Sequence, residues 1–115
     1  MDWIPVVVNP SSGRKTAILA GLNQVFRNAG VRWSVEITQA EGDGVELAQW
    51  LVEQGAHIVA VYGGDGTICE VATGLAGTQA ALGILPGGTG NVLAHEFGLP
   101  RDFVAAAQLL VSEHA

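Results

Sequence analysis

The 115-residue sequence contains few basic residues, with 5 Lys and Arg against 11 Asp and Glu and a formal net charge of −6. Nucleic acids and anionic surfaces attract proteins through clusters of Lys and Arg, so we expect no nucleic-acid partner. Charged residues of both signs together make up only 14% of the chain, whereas 49% is hydrophobic. This composition excludes a disordered chain and predicts a single domain over residues 1–115.

Cysteine is nearly absent: Cys69 is the single one, which excludes an intrachain disulfide. We expect it to be a small core residue, and the three histidines have no spacing typical of metal ligands. The N-terminal segment lacks the basic and apolar regions of a signal peptide, which predicts a cytoplasmic protein. The long uncharged stretch 71–94 contains six glycines and Pro86, so we interpret it as helix, strand and loop and predict no transmembrane segment.

Glycine is the abundant residue, at 16 of 115, about twice its average share. Continuous apolar runs alternate with segments of helical periodicity, and short connections join them. This order predicts an α/β fold, a three-layer α/β/α sandwich with an open, mainly parallel sheet. The predicted elements are strand 3–8, helix 14–29, strand 31–38, helix 41–54, strand 57–62, a helix ending near 75, strand 82–85, a helix ending near 97, and a helix over 100–111.

Three glycine-rich turns follow the strands that end near residues 8, 62 and 85. Their sequences are Asn-Pro-Ser-Ser-Gly at 9–13, Gly-Gly-Asp-Gly-Thr at 63–67 and Pro-Gly-Gly-Thr-Gly-Asn at 86–91. In a parallel sheet, such turns share the edge where ligands bind. Helix N-termini with exposed backbone amides and glycines bind phosphate, so the turns together predict a polyphosphate ligand.

Each turn also has a purely structural interpretation. The glycines can be present because the turns need residues with a positive φ. The helices that follow can be capped by Ser11 or Ser12, by Asp65 or Thr67, and by Thr89. Known phosphate motifs do not fit, because Cys69 and Leu93 replace the third glycine of a dinucleotide fingerprint. The segment 12–16 resembles only the end of a P-loop. Three such turns at one edge nevertheless favour a ligand site.

Asp65 is the most informative single residue. A carboxylate in a phosphate-binding turn repels the ligand unless it holds a divalent cation or accepts a proton, so it suggests phosphoryl transfer; the alternative is a helix cap. Glu70, one turn later, is either a metal or ribose ligand or an exposed helical glutamate. Arg14 and Lys15 either neutralise phosphate charge or are solvated.

These motifs together resemble the diacylglycerol kinase catalytic domain, in the bacterial lipid kinase branch that includes relatives of sphingosine and ceramide kinases. The resemblance extends from residue 4 to about 111 and includes Thr38 ahead of Gly42-Asp43 and Glu70 after the central turn. Gly-Gly-Asp-Gly-Thr is shared with NAD kinases and, more loosely, with phosphofructokinases. The flanking motifs favour lipid kinases.

The resemblance implies that ATP and Mg²⁺ lie across the three turns and that the γ-phosphate passes to a lipid hydroxyl such as that of diacylglycerol. Asp65 is the implied catalytic residue, acting either as base or within the metal and nucleotide network. A peripheral position at the inner membrane surface is also consistent with a lipid substrate. The implied nucleotide contacts are Asn9, Pro10, Ser11, Ser12, Gly13, Thr38, Gly64, Asp65, Gly66, Thr67, Glu70, Gly88, Thr89 and Asn91.

Two features depart from the family pattern. Val92 stands where many members carry aspartate, and the β-rich second domain that provides the lipid pocket is absent from the 115 residues. We therefore expect the nucleotide-binding half of a lipid kinase, inactive by itself. Apolar surface left uncovered on the helix at 101–112 would favour self-association. The alternatives are an NAD kinase-like phosphotransferase and a noncatalytic nucleotide-binding module.

Overall fold

The computed structural model describes residues 3–9, 15–86 and 107–108. Strands and helices alternate through this part of the chain, as the sequence predicts. The last two predicted helices lie outside the described residues, except for 107–108, which are helical. The elements are β1 (Trp3–Val8), α1 (Lys15–Asn28), β2 (Arg32–Ile37), α2 (Asp43–Glu53), β3 (Ile58–Gly63), α3 (Asp65–Leu75) and β4 (Ala81–Pro86).

The four strands form one parallel sheet in the order β2-β1-β3-β4. The chain first moves outward from β1 to β2, then crosses back past β1 to β3 and continues to β4. This reversal places a topological switch point between β1 and β3, where open α/β sheets bind ligands beyond the carboxyl ends of their strands.

Helices cover both faces of the sheet, which confirms the predicted three-layer architecture. On one face, Leu22 and Phe26 of α1 join a buried cluster with alternate residues of β1 and β3. On the other face, Leu51 of α2 and Ile68 and Val71 of α3 join the intervening strand residues. Since β1 and β3 are buried on both faces, their sequences are continuous apolar runs instead of alternating ones.

Two details of α3 differ from the sequence predictions. The helix begins at Asp65, inside the segment predicted to be a turn. Cys69 is exposed, so its assignment to the core is wrong. The reason is helical phase: the buried positions of α3 are Thr67, Ile68, Val71, Gly74 and Leu75, which turns residue 69 outward.

Within the described residues, no helix has the length and apolar character needed to cross a membrane.

Candidate functional site

The carboxyl ends of the four strands lie side by side. Val8 at the end of β1 pairs with Ile37 of β2 and with Tyr62 of β3, and Tyr62 pairs with Leu85 of β4. The strands that precede the three glycine-rich turns therefore end at one edge of the sheet, as predicted. Some predicted site residues lie outside the described residues: Pro10, Ser11, Ser12, Gly13, Gly88, Thr89 and Asn91.

A cleft of about 470 Å³ opens at this edge. Five of the predicted nucleotide contacts line it, brought together from β1, from the end of β2 and from α3. Residues 39–41 also line the cleft but were not predicted, because they carry no motif and only their position after β2 could identify them. The lining residues are Asn9, Thr38, Gln39, Ala40, Glu41, Gly66, Thr67 and Glu70.

Two glycines at the start of α3 face open space. A Cβ atom added to Gly64 or to Gly66 would meet no described heavy atom within 4 Å. Neither residue has a positive φ, and Gly64 is extended, with φ −82° and ψ −177°. Neither the backbone conformation nor the packing of the described residues therefore requires glycine at these positions. Gly63 differs, because its Cβ would lie 3.1 Å from the Cβ of Thr67.

The N-cap of α3 is Gly64, so the prediction that Asp65 or Thr67 caps this helix is wrong. Asp65 is the first helical residue and is half-buried. A carboxylate in the first turn interacts favourably with the positive end of the helix dipole. The same positive end attracts phosphate, so a bound phosphate and the Asp65 carboxylate would both lie near the N-terminus of α3.

A side-chain hydrogen bond connects the end of β1 to the first turn of α3. Asn9 Nδ2 donates to Thr67 Oγ1 at 2.9 Å, and the Asn9 amide donates to the Tyr62 carbonyl at 3.3 Å. Thr67 is buried, so this contact fixes its hydroxyl group. Because the hydroxyl oxygen accepts here, its proton can be donated to a further acceptor.

Glu70 holds backbone amides that precede and begin α2. Its Oε2 accepts from the Gly42 amide at 3.0 Å, and its Oε1 accepts from the Gly44 amide at 2.9 Å. The side chain is half-buried. Its interpretation as an exposed helical glutamate is therefore wrong, and its predicted contact with a nucleotide or metal remains a prediction.

The segment between β2 and α2 is fixed at its other end too. The Thr38 amide donates to the Val8 carbonyl at 3.0 Å. Asp43 Oδ2 accepts from the amides of Gln39 and Ala40, both at 2.8 Å. One side of the cleft is thus an ordered loop stabilised by carboxylates.

Tyr62 lies at the end of β3, next to Gly63. Burial raises the pKa of its phenol above the usual value of 10.0. The phenol is neutral at physiological pH, and its burial favours this neutral form further.

Comparison with known proteins identifies the family. The sequence model of the diacylglycerol kinase catalytic domain matches residues 4–115. This chain belongs to the diacylglycerol kinase catalytic domain family. The resemblance inferred from the motifs is thereby confirmed.

Curated relatives agree with this assignment. A diacylglycerol kinase from Mycobacterium tuberculosis is 39% identical over 112 residues, which are 94% of this chain and 36% of the relative. A Bacillus subtilis diacylglycerol kinase is 36% identical over 112 residues, covering 93% and 37% of the two chains. A Klebsiella pneumoniae protein named probable lipid kinase YegS-like is 34% identical over 108 residues, covering 92% and 36%. The chain thus spans little more than a third of the length of these relatives.

A solved structure shares the fold. A diacylglycerol kinase from Bacillus anthracis superposes with a TM-score of 0.85 at 29% sequence identity, over 98% of this chain and 44% of the other. The shared fold agrees with the parallel sheet and flanking helices described above.

Proposed function

We propose that this chain is the ATP-binding domain of a lipid kinase and that ATP occupies the cleft beside the start of α3. The observation that carries the proposal is the pair of glycines at 64 and 66, whose missing side chains leave space that no described residue fills. Membership of a kinase family supports ATP as the ligand at the start of α3.

The start of α3 has the chemistry that a triphosphate requires. The first amides of an α-helix have no acceptor within the helix and carry the positive end of its dipole. Glycine at 64 and 66 permits close approach of phosphate oxygens to this backbone. The Thr67 hydroxyl, held by Asn9, adds a donor on the same side of the cleft.

Magnesium is expected to accompany the nucleotide. Glu41 and Glu70 line the cleft and the chain has a net charge of −6, so uncomplexed ATP would be repelled. Among the described residues, no group of three His, Cys, Asp or Glu side chains could hold a metal ion. Phosphate oxygens would supply ligands to the magnesium, and Asp65, which lies between Gly64 and Gly66 in the sequence, is the proposed acidic contact. Bound magnesium neutralises phosphate charge during transfer.

The proposed reaction is transfer of the γ-phosphoryl group to a lipid hydroxyl. The hydroxyl oxygen forms a bond to the γ-phosphorus, the bond to the β–γ bridging oxygen breaks, ADP leaves, and the hydroxyl proton passes to a base. Asp65 either accepts this proton or holds the metal and nucleotide. We propose that lipid recognition belongs to a second domain, so that the 115 residues alone bind nucleotide without turnover.

The Gly66→Ala substitution tests the nucleotide site. We expect the free energy of unfolding to stay the same or to rise by about 0.5 kcal/mol, since alanine suits this helical position. The MgATP affinity measured by calorimetry should fall about 10-fold, because the new methyl group occupies space kept for the ligand.

Gly30→Ala serves as the control, because Gly30 has a φ of +71° and lies after α1. This variant should lose stability and keep its MgATP affinity. Unchanged affinity in Gly66→Ala, or no saturable binding of wild-type protein at millimolar MgATP, would contradict the proposal.

The acceptor is tested in a protein that joins this chain to a second domain. We expect phosphorylation of diacylglycerol, and exclusive phosphorylation of NAD would reject the lipid assignment. In that protein, Asp65→Asn should reduce turnover far more than nucleotide affinity. Equal turnover in the variant would leave Asp65 without a catalytic role.

A further inference from the structure

We infer that Glu70 is a positioning residue for the proposed ATP site, which it serves by holding the cleft wall, residues 38–42, against α3. The inference rests on the proposed function above. It assigns Glu70 a role different from the direct nucleotide contact that its motif implies, because both of its carboxylate oxygens are engaged by the protein itself.

Glu70 replaces a cap that α2 does not have. The N-cap of α2 is Gly42, with a φ of +94° and no side-chain hydrogen bond. An N-cap side chain normally accepts the amide of the residue two or three positions later. Here the Gly44 amide, two positions later, is accepted by Glu70 from the neighbouring helix at 2.9 Å. The charged acceptor strengthens this bond and suits the positive end of α2.

The approach of Glu70 depends on the absence of a side chain at residue 44. A Cβ atom at Gly44 would lie 2.8 Å from both the Cβ and the Oε1 of Glu70. Such a contact is too short to persist, so any larger residue would displace the carboxylate. Gly44 and Glu70 therefore form a matched pair across the α2–α3 interface.

The same helix serves both sides of the cleft. Gly66 lies one helical turn before Glu70 on α3, and both residues line the cleft. Without Glu70, the wall keeps the bond from the Thr38 amide to Val8 and the Asp43 contacts to residues 39 and 40. It loses the bonds that connect it to α3 at Gly42 and Gly44. We expect the wall then to become mobile. ATP should bind more weakly, because binding must order the wall again and this costs free energy.

The direction in which ATP affinity changes on removal of the Glu70 carboxylate distinguishes a positioning role from a purely electrostatic one. Removing a carboxylate from the lining of a cleft that holds a polyphosphate should strengthen binding if charge alone matters. The positioning role predicts the opposite. A metal-ligand role predicts weaker binding only when magnesium is present.

The test compares Glu70→Gln and Glu70→Ala with Glu53→Gln, a control that makes the same charge change as Glu70→Gln at an exposed position of α2. Hydrogen exchange of the Gly42 and Gly44 amides is measured by NMR without nucleotide. Calorimetry then measures the affinity for ATP with and without Mg²⁺, at a temperature where circular dichroism shows every variant folded.

We expect both amides to exchange about 10-fold faster in Glu70→Ala, because they lose a charge-assisted acceptor, and the effect to be smaller in Glu70→Gln. ATP affinity should fall about 10-fold in Glu70→Ala, with and without Mg²⁺, while Glu53→Gln behaves like wild type. Glu70→Gln keeps the shape and one acceptor oxygen, so it should lose less affinity than Glu70→Ala.

Unchanged amide exchange, or unchanged or tighter ATP binding in the Glu70 variants, would overturn the positioning role while leaving the proposed function intact. A loss confined to Mg²⁺-containing samples would overturn it in favour of a metal ligand. Failure of both variants to fold would reduce Glu70 to a structural residue. No binding of ATP to wild-type protein would remove both proposals.

Discussion

The start of α3 and the interface between α2 and α3 are both rich in glycine, but the glycines differ in what surrounds them. At the interface, a Cβ on Gly74 would collide with the carbonyl oxygen of Val45, and one on Gly44 would collide with Glu70. At the start of α3, a Cβ on Gly64 or Gly66 would meet no heavy atom of residues 3–9, 15–86 or 107–108 within 4 Å. The interface glycines are explained by packing, whereas the other two require an explanation outside the described protein.

The largest effect of a glycine-to-alanine change is expected at Gly74. The added methyl group meets the backbone oxygen of Val45 and the Cβ of Ala48, so α2 and α3 must move apart. We predict that the free energy of unfolding falls by about 2 to 3 kcal/mol. Urea denaturation measures this change, and a loss below that of Gly44→Ala would contradict the proposed ranking.

A smaller loss is expected for Gly44→Ala. Its methyl group would lie 2.8 Å from both the Cβ and the Oε1 of Glu70. The Oε1 can rotate away and the Cβ can shift only with α3, whereas the overlap at Gly74 is shorter and involves a backbone oxygen. We predict a loss of about 1 to 2 kcal/mol in the free energy of unfolding. Displacement of Glu70 should also weaken ATP binding, as in the Glu70 variants. If Gly44→Ala loses stability but binds ATP as tightly as the wild-type protein, residue 44 does not influence ATP binding through the cleft wall.

The smallest effect on stability is expected for Gly64→Ala. Residue 64 has an extended backbone, and no described heavy atom lies within 4 Å of the Cβ position, so alanine should meet no clash there. The free energy of unfolding should fall only by about 0.5 kcal/mol, because alanine is a poorer N-cap than glycine. The MgATP affinity should nevertheless fall. Gly55→Ala is the matched control: its φ of +99° predicts a loss of about 1 kcal/mol without a change in affinity. A large loss of stability in Gly64→Ala would show that the protein itself requires this glycine.

The arrangement of strands and helices could be predicted from the sequence because its causes are local. Apolar runs at 3–8 and 57–62 match β1 and β3 within one residue, and Gly30 and Gly55 follow α1 and α2 as expected of helix ends. The strand ends that carry the turns also meet at one edge, since parallel strands leave no other arrangement.

The organisation of the cleft wall could not be predicted in the same way. Glu70 and Gly42 are 28 residues apart, and their contact depends on how closely α2 approaches α3. That distance is controlled by Gly44 and Gly74, whose role becomes visible only when both helices are in place. The exposure of Cys69 likewise depends on the rotation of α3 about its own axis, which an error of one residue at the helix start would alter.

An NMR titration of the wild-type chain with MgATP tests the central claim most directly. We predict saturable shifts of the backbone amides of Gly64, Gly66 and Thr67 at the start of α3 and of Thr38 in the cleft wall. The amides of Gly30 and Gly77, which lie after α1 and α3, should remain unshifted. Saturable shifts centred on those two glycines, or no saturable shift at all, would contradict a nucleotide site at the carboxyl edge of the sheet.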